Sequence, residues 1–210
     1  MWNTALMSAP PVPYFSQWES PDLVKAIVTG AMSAADDPRW PESGAVSAQE
    51  YEFWSWRSCG MACLRMLLAH RGQVVPPSVE LAKECERFGG YVRHENGVHG
   101  LIYAPFLSWV ADRFGLTGEV RVDFGVPALR DLVAQGHPVI ASVHQTIREP
   151  ESSPPTRGGH LVLVTAVDES GLYLDNPSGL SSGSQLGARV EDEDFERFYA
   201  MRAMVFDRTD

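Results

Sequence analysis

The sequence predicts an α+β fold, with a helical N-terminal half and an antiparallel sheet in the C-terminal half. Two textures carry this reading. Between 59 and 135, apolar residues recur at helical spacing; from 137 onward, β-branched and aromatic runs bounded by Gly, Pro and Asp take over. The textures follow one another instead of alternating, which separates α+β from a parallel α/β sheet. At 210 residues the chain fits one domain with a full hydrophobic core.

The opening "PPVPYFSQWES" is extended, because proline holds itself and its predecessor in β or polyproline geometry. A short helix is expected over 22–32. The loop "SAADDPRWPESGAVS" follows, rich in turn-forming residues. Ser47 and Glu50 stand at capping-box spacing and predict a helical turn over 47–54.

The clearest helix is 59–71. Cys63, Met66, Leu67 and His70 fall at i, i+3, i+4 and i+7, and Gly72 is placed to end the helix. Helices over 78–88 and 101–114 are each followed by glycine, and a shorter one spans 126–135. Then "HPVIASVH", "GHLVLVTAVD", "GLYLDNP" and "YAMRAMVFD" read as strands of an antiparallel meander. The late "EDEDFE" reads as a solvated acidic turn.

The formal charge is −10 and no Lys/Arg cluster occurs, which argues against nucleic acid or an anionic membrane as partner. No apolar run approaches the length of a membrane span, and the N-terminus lacks the pattern of a signal peptide. Three cysteines do not make a disulfide framework, so the chain is expected to be cytoplasmic with reduced thiols.

The stretch "WRSCGMACLRMLLAHRG" places Cys59 at a predicted helix N-terminus. Unpaired N–H groups and the macrodipole there stabilise an anion, so a thiolate is expected at neutral pH. Gly60 leaves room for close approach. Cys63, one turn on, lies on the apolar stripe as a core residue. Cys85 is expected to be a partly buried thiol without chemistry. A nucleophilic thiol needs a base, and His160 opens a predicted strand directly after Gly158 and Gly159. The next strand returns in "YLDN" beside its start and offers Asp175 and Asn176 to orient the imidazole.

The segments "VPYFSQ", "CGMACLRMLLAHRG" and "GGHLVLVTAVDESGLYLDNPSG" together resemble the C39-like cysteine peptidases, a branch of the papain-like superfamily. The resemblance runs from Val12 to Phe206. It implies a papain-like fold with the nucleophile at the start of the central helix. Residue by residue, it implies Gln17 as oxyanion-hole donor, Cys59 as nucleophile, His160 as base and Asn176 as orienting residue. Two departures stand out. The family places Asp directly before the Pro, where this chain has Asn176, preceded by Asp175. Strand alternation sends those two side chains to opposite faces, so one of them meets His160. The stretch between Gln17 and Cys59 is also long; 18–57 reads as an insertion forming a lid or a cleft wall, and it makes Gln49 a rival oxyanion donor.

Each of these residues has a plainer reading. A cysteine capping a helix is often core filler, a lone histidine is often structural, and Asn before Pro is an ordinary turn. The combination favours chemistry. A zinc site built from Cys59, Cys63, His94 and His99 is disfavoured, because two cysteines on one apolar helix cannot both meet an outside ion. His94 and His99 are instead expected to line a loop over the cleft, with Trp54, Trp56 and Trp109 as core or cleft wall. No metal or cofactor is expected.

The function expected from the sequence is a cysteine-dependent hydrolase, a peptidase or amidase, acting on a peptide or acyl-amide through a thioester. An acyltransferase of a biosynthetic pathway using the same site, and an inactive binding module of the same fold, are the alternatives.

Overall fold

Alternation along three central strands sorts the core into two layers, one on each face of a six-stranded antiparallel sheet. Ile140, Leu161, Leu163, Met204 and Phe206 face one cluster, and Val139, Ala141, Val162, Val164, Ala203 and Val205 face the other. A computed structural model of the chain describes residues 13–95, 97–98 and 100–208.

The helices α1 (Val24–Val28), α2 (Ala48–Ser55), α3 (Cys59–His70), α4 (Ser78–Arg87) and α5 (Tyr103–Phe114) come before most of the sheet. A two-stranded ribbon, β1 (Arg93–His94) with β2 (Gly97–Val98), lies between α4 and α5. Then follow β3 (Gly118–Val122), α6 (Val126–Ala134), β4 (Val139–Val143), β5 (His160–Val167) and β6 (Gly171–Asp175). The chain ends with α7 (Ser182–Gln185), β7 (Ala188–Glu191), α8 (Asp192–Phe198) and β8 (Tyr199–Phe206). The strand order is β3-β8-β4-β5-β6-β7, and every pairing is antiparallel.

The helix α3 packs on β5 and is buried over nearly its whole circumference from Gly60 to Leu68. Its composition explains this, since a helix that is apolar on all sides belongs inside. Gly72, at φ 65°, follows its end. The helix α5 likewise stops at Gly115 in the left-handed conformation. Ser47 caps α2, its hydroxyl accepting the Glu50 N–H at 3.1 Å, while the Glu50 carboxylate takes the Val46 N–H. The paired cap is the one the spacing predicts, displaced by a residue on its return bond.

Several elements differ from expectation. The helix expected over 22–32 shortens to a 3-10 turn, Pro21–Leu23, running into α1. The acidic run is not a free turn: it opens α8, whose Phe195 and Phe198 are fully buried. Three acidic side chains in a first helical turn suit the positive end of the helix, so composition disguised a helix start as a loop. Every position of β3 and alternate positions of β7 are exposed or half-exposed, and both strands lack the apolar run by which inner strands are recognised. The sheet is also more than a meander, since β8 returns to β4 and β3 joins its far side.

Segment 18–57 is built into the core. Trp18, Val24, Ile27, Tyr51 and Trp54 are all buried in the cluster on the α3 face. Asp37 anchors it from inside, accepting hydrogen bonds from the Ser20 N–H (3.1 Å), the Ser20 hydroxyl (2.6 Å), the Tyr51 hydroxyl (2.6 Å) and the Arg39 N–H (3.0 Å). A second buried anchor joins Glu19 to Arg65 of α3 at 3.1 Å and to the Ser78 hydroxyl at 2.6 Å. Among the described residues no helix is long and apolar enough to cross a membrane.

Candidate active site

Cys59 is the first residue of α3, with Ser58 at the N-cap. It is half-buried, whereas Cys63 and Cys85 are fully buried; all three are free thiols. Cys85 is thus deeper than expected, enclosed by the α4 turn, where a Cβ on Gly90 would come within 2.2 Å of its sulfur. At Gly60 the missing side chain serves packing: a Cβ there would meet Leu101 at 2.6 Å and Leu161 at 3.2 Å.

Cys59 and His160 line the same cleft, of about 210 Å³, together with Trp56, Leu101, Tyr103 and Gly159. Gly158 and Gly159, at φ 85° and 93°, take the chain into β5 through a backbone path that other residues rarely adopt. Trp56 is 47% exposed on the cleft wall, while Trp54 and Trp109 are core residues.

The His160 Nε2 lies 2.9 Å from the Asn176 Oδ1 and 3.1 Å from the Ser178 hydroxyl. The Ser178 backbone N–H donates to the same Asn176 oxygen at 3.0 Å. An amide oxygen only accepts, so the Nε2 carries the proton and Nδ1 is left as the basic nitrogen. Ser178 was not among the residues singled out by sequence. Its signal was position alone, two residues after Asn176, where an Asx turn returns a backbone N–H to the side chain.

Asp175 points elsewhere. Its Oδ1 accepts the Gly187 N–H at 2.8 Å, and its buried Oδ2 has no hydrogen-bond partner among the described residues. Burial pushes this carboxyl up to about 6. Alternation at the end of β6 therefore brings Asn176, and not the neighbouring Asp175, to the imidazole.

Gln17 is buried, and its amide Nε2 donates to the Ser55 carbonyl at 2.9 Å, at the junction of α2 and α3. One N–H of that amide remains for another acceptor. The same strand-like segment is latched to the turn that carries Asn176. The Gln17 N–H and the Ser16 hydroxyl both donate to the Pro177 carbonyl at 3.0 Å, and the Tyr14 hydroxyl donates to the Asn176 carbonyl at 2.9 Å. Neither Gln17 nor Gln49 is among the residues that line the cleft; Gln17 is buried, and Gln49 is exposed on the first turn of α2.

Burial acts against the thiolate expected at this helix N-terminus. Burial pushes the Cys59 thiol up, although backbone N–H groups of Leu161, Gly60 and Cys59 itself pull the other way. Burial likewise lowers His160 to about 4, against a smaller opposing effect of the bond to Asn176. Burial therefore favours the neutral form of both the thiol and the imidazole. The helix N-terminus is present as expected, but desolvation outweighs it.

His94 lies exposed in β1, and the chain just beyond the β1–β2 ribbon, at Gly100 and Leu101, forms part of the cleft wall; His99 lies outside the described residues. Among the described residues no group of three or more His, Cys, Asp and Glu is arranged to hold a metal ion.

The sequence matches the model of the Peptidase_C39 like family over residues 11–204. Among solved structures, it is similar to a protein described as a C39-like peptidase from Bacillus anthracis. That match has a TM-score of 0.53 and 16% identity, covering 73% of this chain and 90% of the other. It is also similar to the peptidase domain of Streptococcus ComA, a bifunctional ABC transporter of a quorum-sensing pathway. There the TM-score is 0.51 at 17% identity, covering 73% of this chain and 93% of that domain. No curated protein sequence matches significantly.

Proposed function

The chain belongs to the peptidase C39-like family, and on that premise we propose that it is a cysteine-dependent hydrolase that cuts an amide bond of a peptide through a thioester. The observation that carries this is the bond from His160 Nε2 to Asn176 Oδ1, 2.9 Å, made by a histidine that shares a cleft with Cys59.

In this reading the orientation of the imidazole leaves Nδ1 to take the Cys59 proton as the sulfur attacks the carbonyl carbon. The C–O π pair moves onto oxygen, and the oxyanion is held by the Cys59 backbone N–H and the free N–H of Gln17. Donors of this kind are worth about 3 kcal/mol each. The imidazolium then gives its proton to the departing amine, the C–N bond breaks, and the thioester remains. Water attacks the thioester with His160 again as base, releasing the acid and restoring the thiol. Burial favours the neutral thiol and the neutral imidazole, so in this reading proton transfer accompanies attack instead of preceding it.

The whole of 1–210 acts as one domain in this account. Segment 18–57 is an insertion that ends by placing Trp56 and Arg57 on the cleft wall, next to Cys59. Three unpaired thiols fit a reducing cytoplasm.

An activated acyl ester tests the proposal. Wild-type protein should show a burst of leaving group followed by turnover in water, and Cys59→Ala should show neither. A burst that stalls until an amine or thiol is added would make the protein an acyltransferase. No burst from a folded protein, with any of a panel of acyl donors, would leave a binding module.

A further inference from the structure

We propose that the cleft selects a peptide carboxylate next to the bond that is cut, and that Arg202 and Arg57 read that charge. This rests on the reading of the Cys59–His160 cleft as the substrate site and adds what the site accepts.

The charge pattern is the first observation. The chain carries a formal charge of −10, yet Arg57 and Arg202 line the cleft and no Asp or Glu lines it among the described residues. Several arginines elsewhere meet carboxylates, as Arg65 does with Glu19, Arg130 with Asp192 and Arg189 with Asp168. Arg57 and Arg202 have no such partner among the described residues, as Arg71, Arg87, Arg148, Arg157 and Arg208 also have none, but only Arg57 and Arg202 line the cleft. A cleft of one sign focuses its field on an incoming charge of the other.

Both guanidinium groups are held in place. Arg57 donates to the Phe53 carbonyl and lies 4.1 Å over the Phe53 ring. Arg202 lies 5.0 Å over the Tyr103 ring. A stacked guanidinium loses little further freedom on binding a carboxylate, and its remaining N–H groups form the planar fork that a carboxylate fits.

The backbone supplies an independent observation. Ala141 pairs with Ala203 and Val143 with Tyr199, so residues 200–202 stand opposite the single residue Ser142. Within this bulge Met201 has φ 50°, a conformation uncommon outside glycine. Bulges beside sites re-aim side chains, and strain persists where the surroundings impose it. Here the bulge lies at the mouth of the cleft, Ser142 lines that cleft, and Arg202 is the side chain delivered into it.

Arg202 also stands at a junction. Together with Leu101 and Tyr103 it lines both the cleft and an adjoining groove walled by Ile102, Ala104 and Val120. The selected peptide therefore presents an apolar side chain on the far side of its carboxylate.

Internally quenched peptides that carry Glu, Gln or Lys at one position at a time test this, with amidated and free C-termini to separate a side-chain carboxylate from a terminal one. Cleavage is measured on wild type, and binding of the same peptides on Cys59→Ala by fluorescence polarisation. A carboxylate should raise kcat/KM and tighten binding by about tenfold or more, with the gain shrinking at high salt. Arg202→Gln should remove the preference and Arg202→Glu should turn it towards Lys, with each variant's fold checked by circular dichroism. Cleavage with no preference for a carboxylate, or a preference untouched in both Arg202 variants and in Arg57→Gln, would overturn the inference and leave the hydrolase standing. Selective binding of the carboxylate without cleavage would do the reverse. A folded protein that neither cuts nor binds these peptides overturns both.

Discussion

Asn176 holds His160 by one oxygen, 2.9 Å from Nε2, and that oxygen is itself fixed by the Ser178 backbone N–H at 3.0 Å. The imidazole is thus set in one tautomer by a turn of three residues.

Removing this support should lower activity without abolishing it. Asn176→Ala is expected to reduce kcat/KM by about 10²–10⁴-fold, short of the complete loss in Cys59→Ala. Ser178→Ala should cost about tenfold, since its hydroxyl is a second partner of Nε2. The double variant should lose more than the sum, because either group holds the ring when the other is gone. Steady-state kinetics on an activated ester decide this, and strict additivity would remove Ser178 from the account.

Cys59 should be the thiol modified by limiting iodoacetamide, because Cys63 and Cys85 are fully buried. Burial raises its thiol above the ordinary range, so the rate of alkylation should climb with pH and show no plateau below about 8.5. Peptide mapping and a rate–pH profile check both points. A plateau below neutrality would reveal a resting thiolate–imidazolium pair.

Asp175 and His160 act on stability in opposite directions. The raised carboxyl of Asp175 favours the folded state at low pH, and that contribution is lost as pH rises through about 6. Burial lowers His160 to about 4 from the ordinary imidazole value of 6.5, so its site weakens the fold as pH falls through that interval. The two slopes oppose each other in the wild type. Asp175→Asn should therefore gain about 1–2 kcal/mol at neutral pH and show a clear loss of stability on acidification. Urea unfolding across a pH series measures it.

Asp37→Ala should destabilise the protein by about 2–4 kcal/mol, leaving the buried groups of Ser20 and Tyr51 without their acceptor. Activity should fall as well, since Ser20 continues the segment that places Gln17 against Ser55. Thermal unfolding and ester hydrolysis, measured together, test the coupling.

Gly60→Ala should separate the two properties. The added methyl displaces the end of the Leu101 side chain, a cleft residue, while alanine favours the helix. Melting temperature should change little and kcat/KM should fall several-fold.

The sequence by itself determined the elements whose pattern is local. Helix α3 was legible from its apolar spacing and Gly72, the inner strands from their β-branched runs, and the cap at Ser47 from Glu50. The proximity of His160 and Asn176 was legible too, because a hairpin pairs strands that are close in sequence. Resemblance to the C39-like peptidases supplied the rest of the expected set, and family membership now stands on the match over residues 11–204.

Tertiary structure decided whatever depends on distant neighbours. It made the start of α8 a helix by burying Phe195 and Phe198, and it turned β3 and β8 into one side of the sheet. It packed the surroundings of Cys59 and His160 closely enough that desolvation outweighs the helix N-terminus, which no spacing of residues reports. It also brought Arg202, far along the chain from Arg57, to the same cleft through a bulge at Met201. Local pattern fixes which way a side chain points along its own element. What surrounds that side chain, and therefore its charge, is set by segments that meet only when the chain has folded.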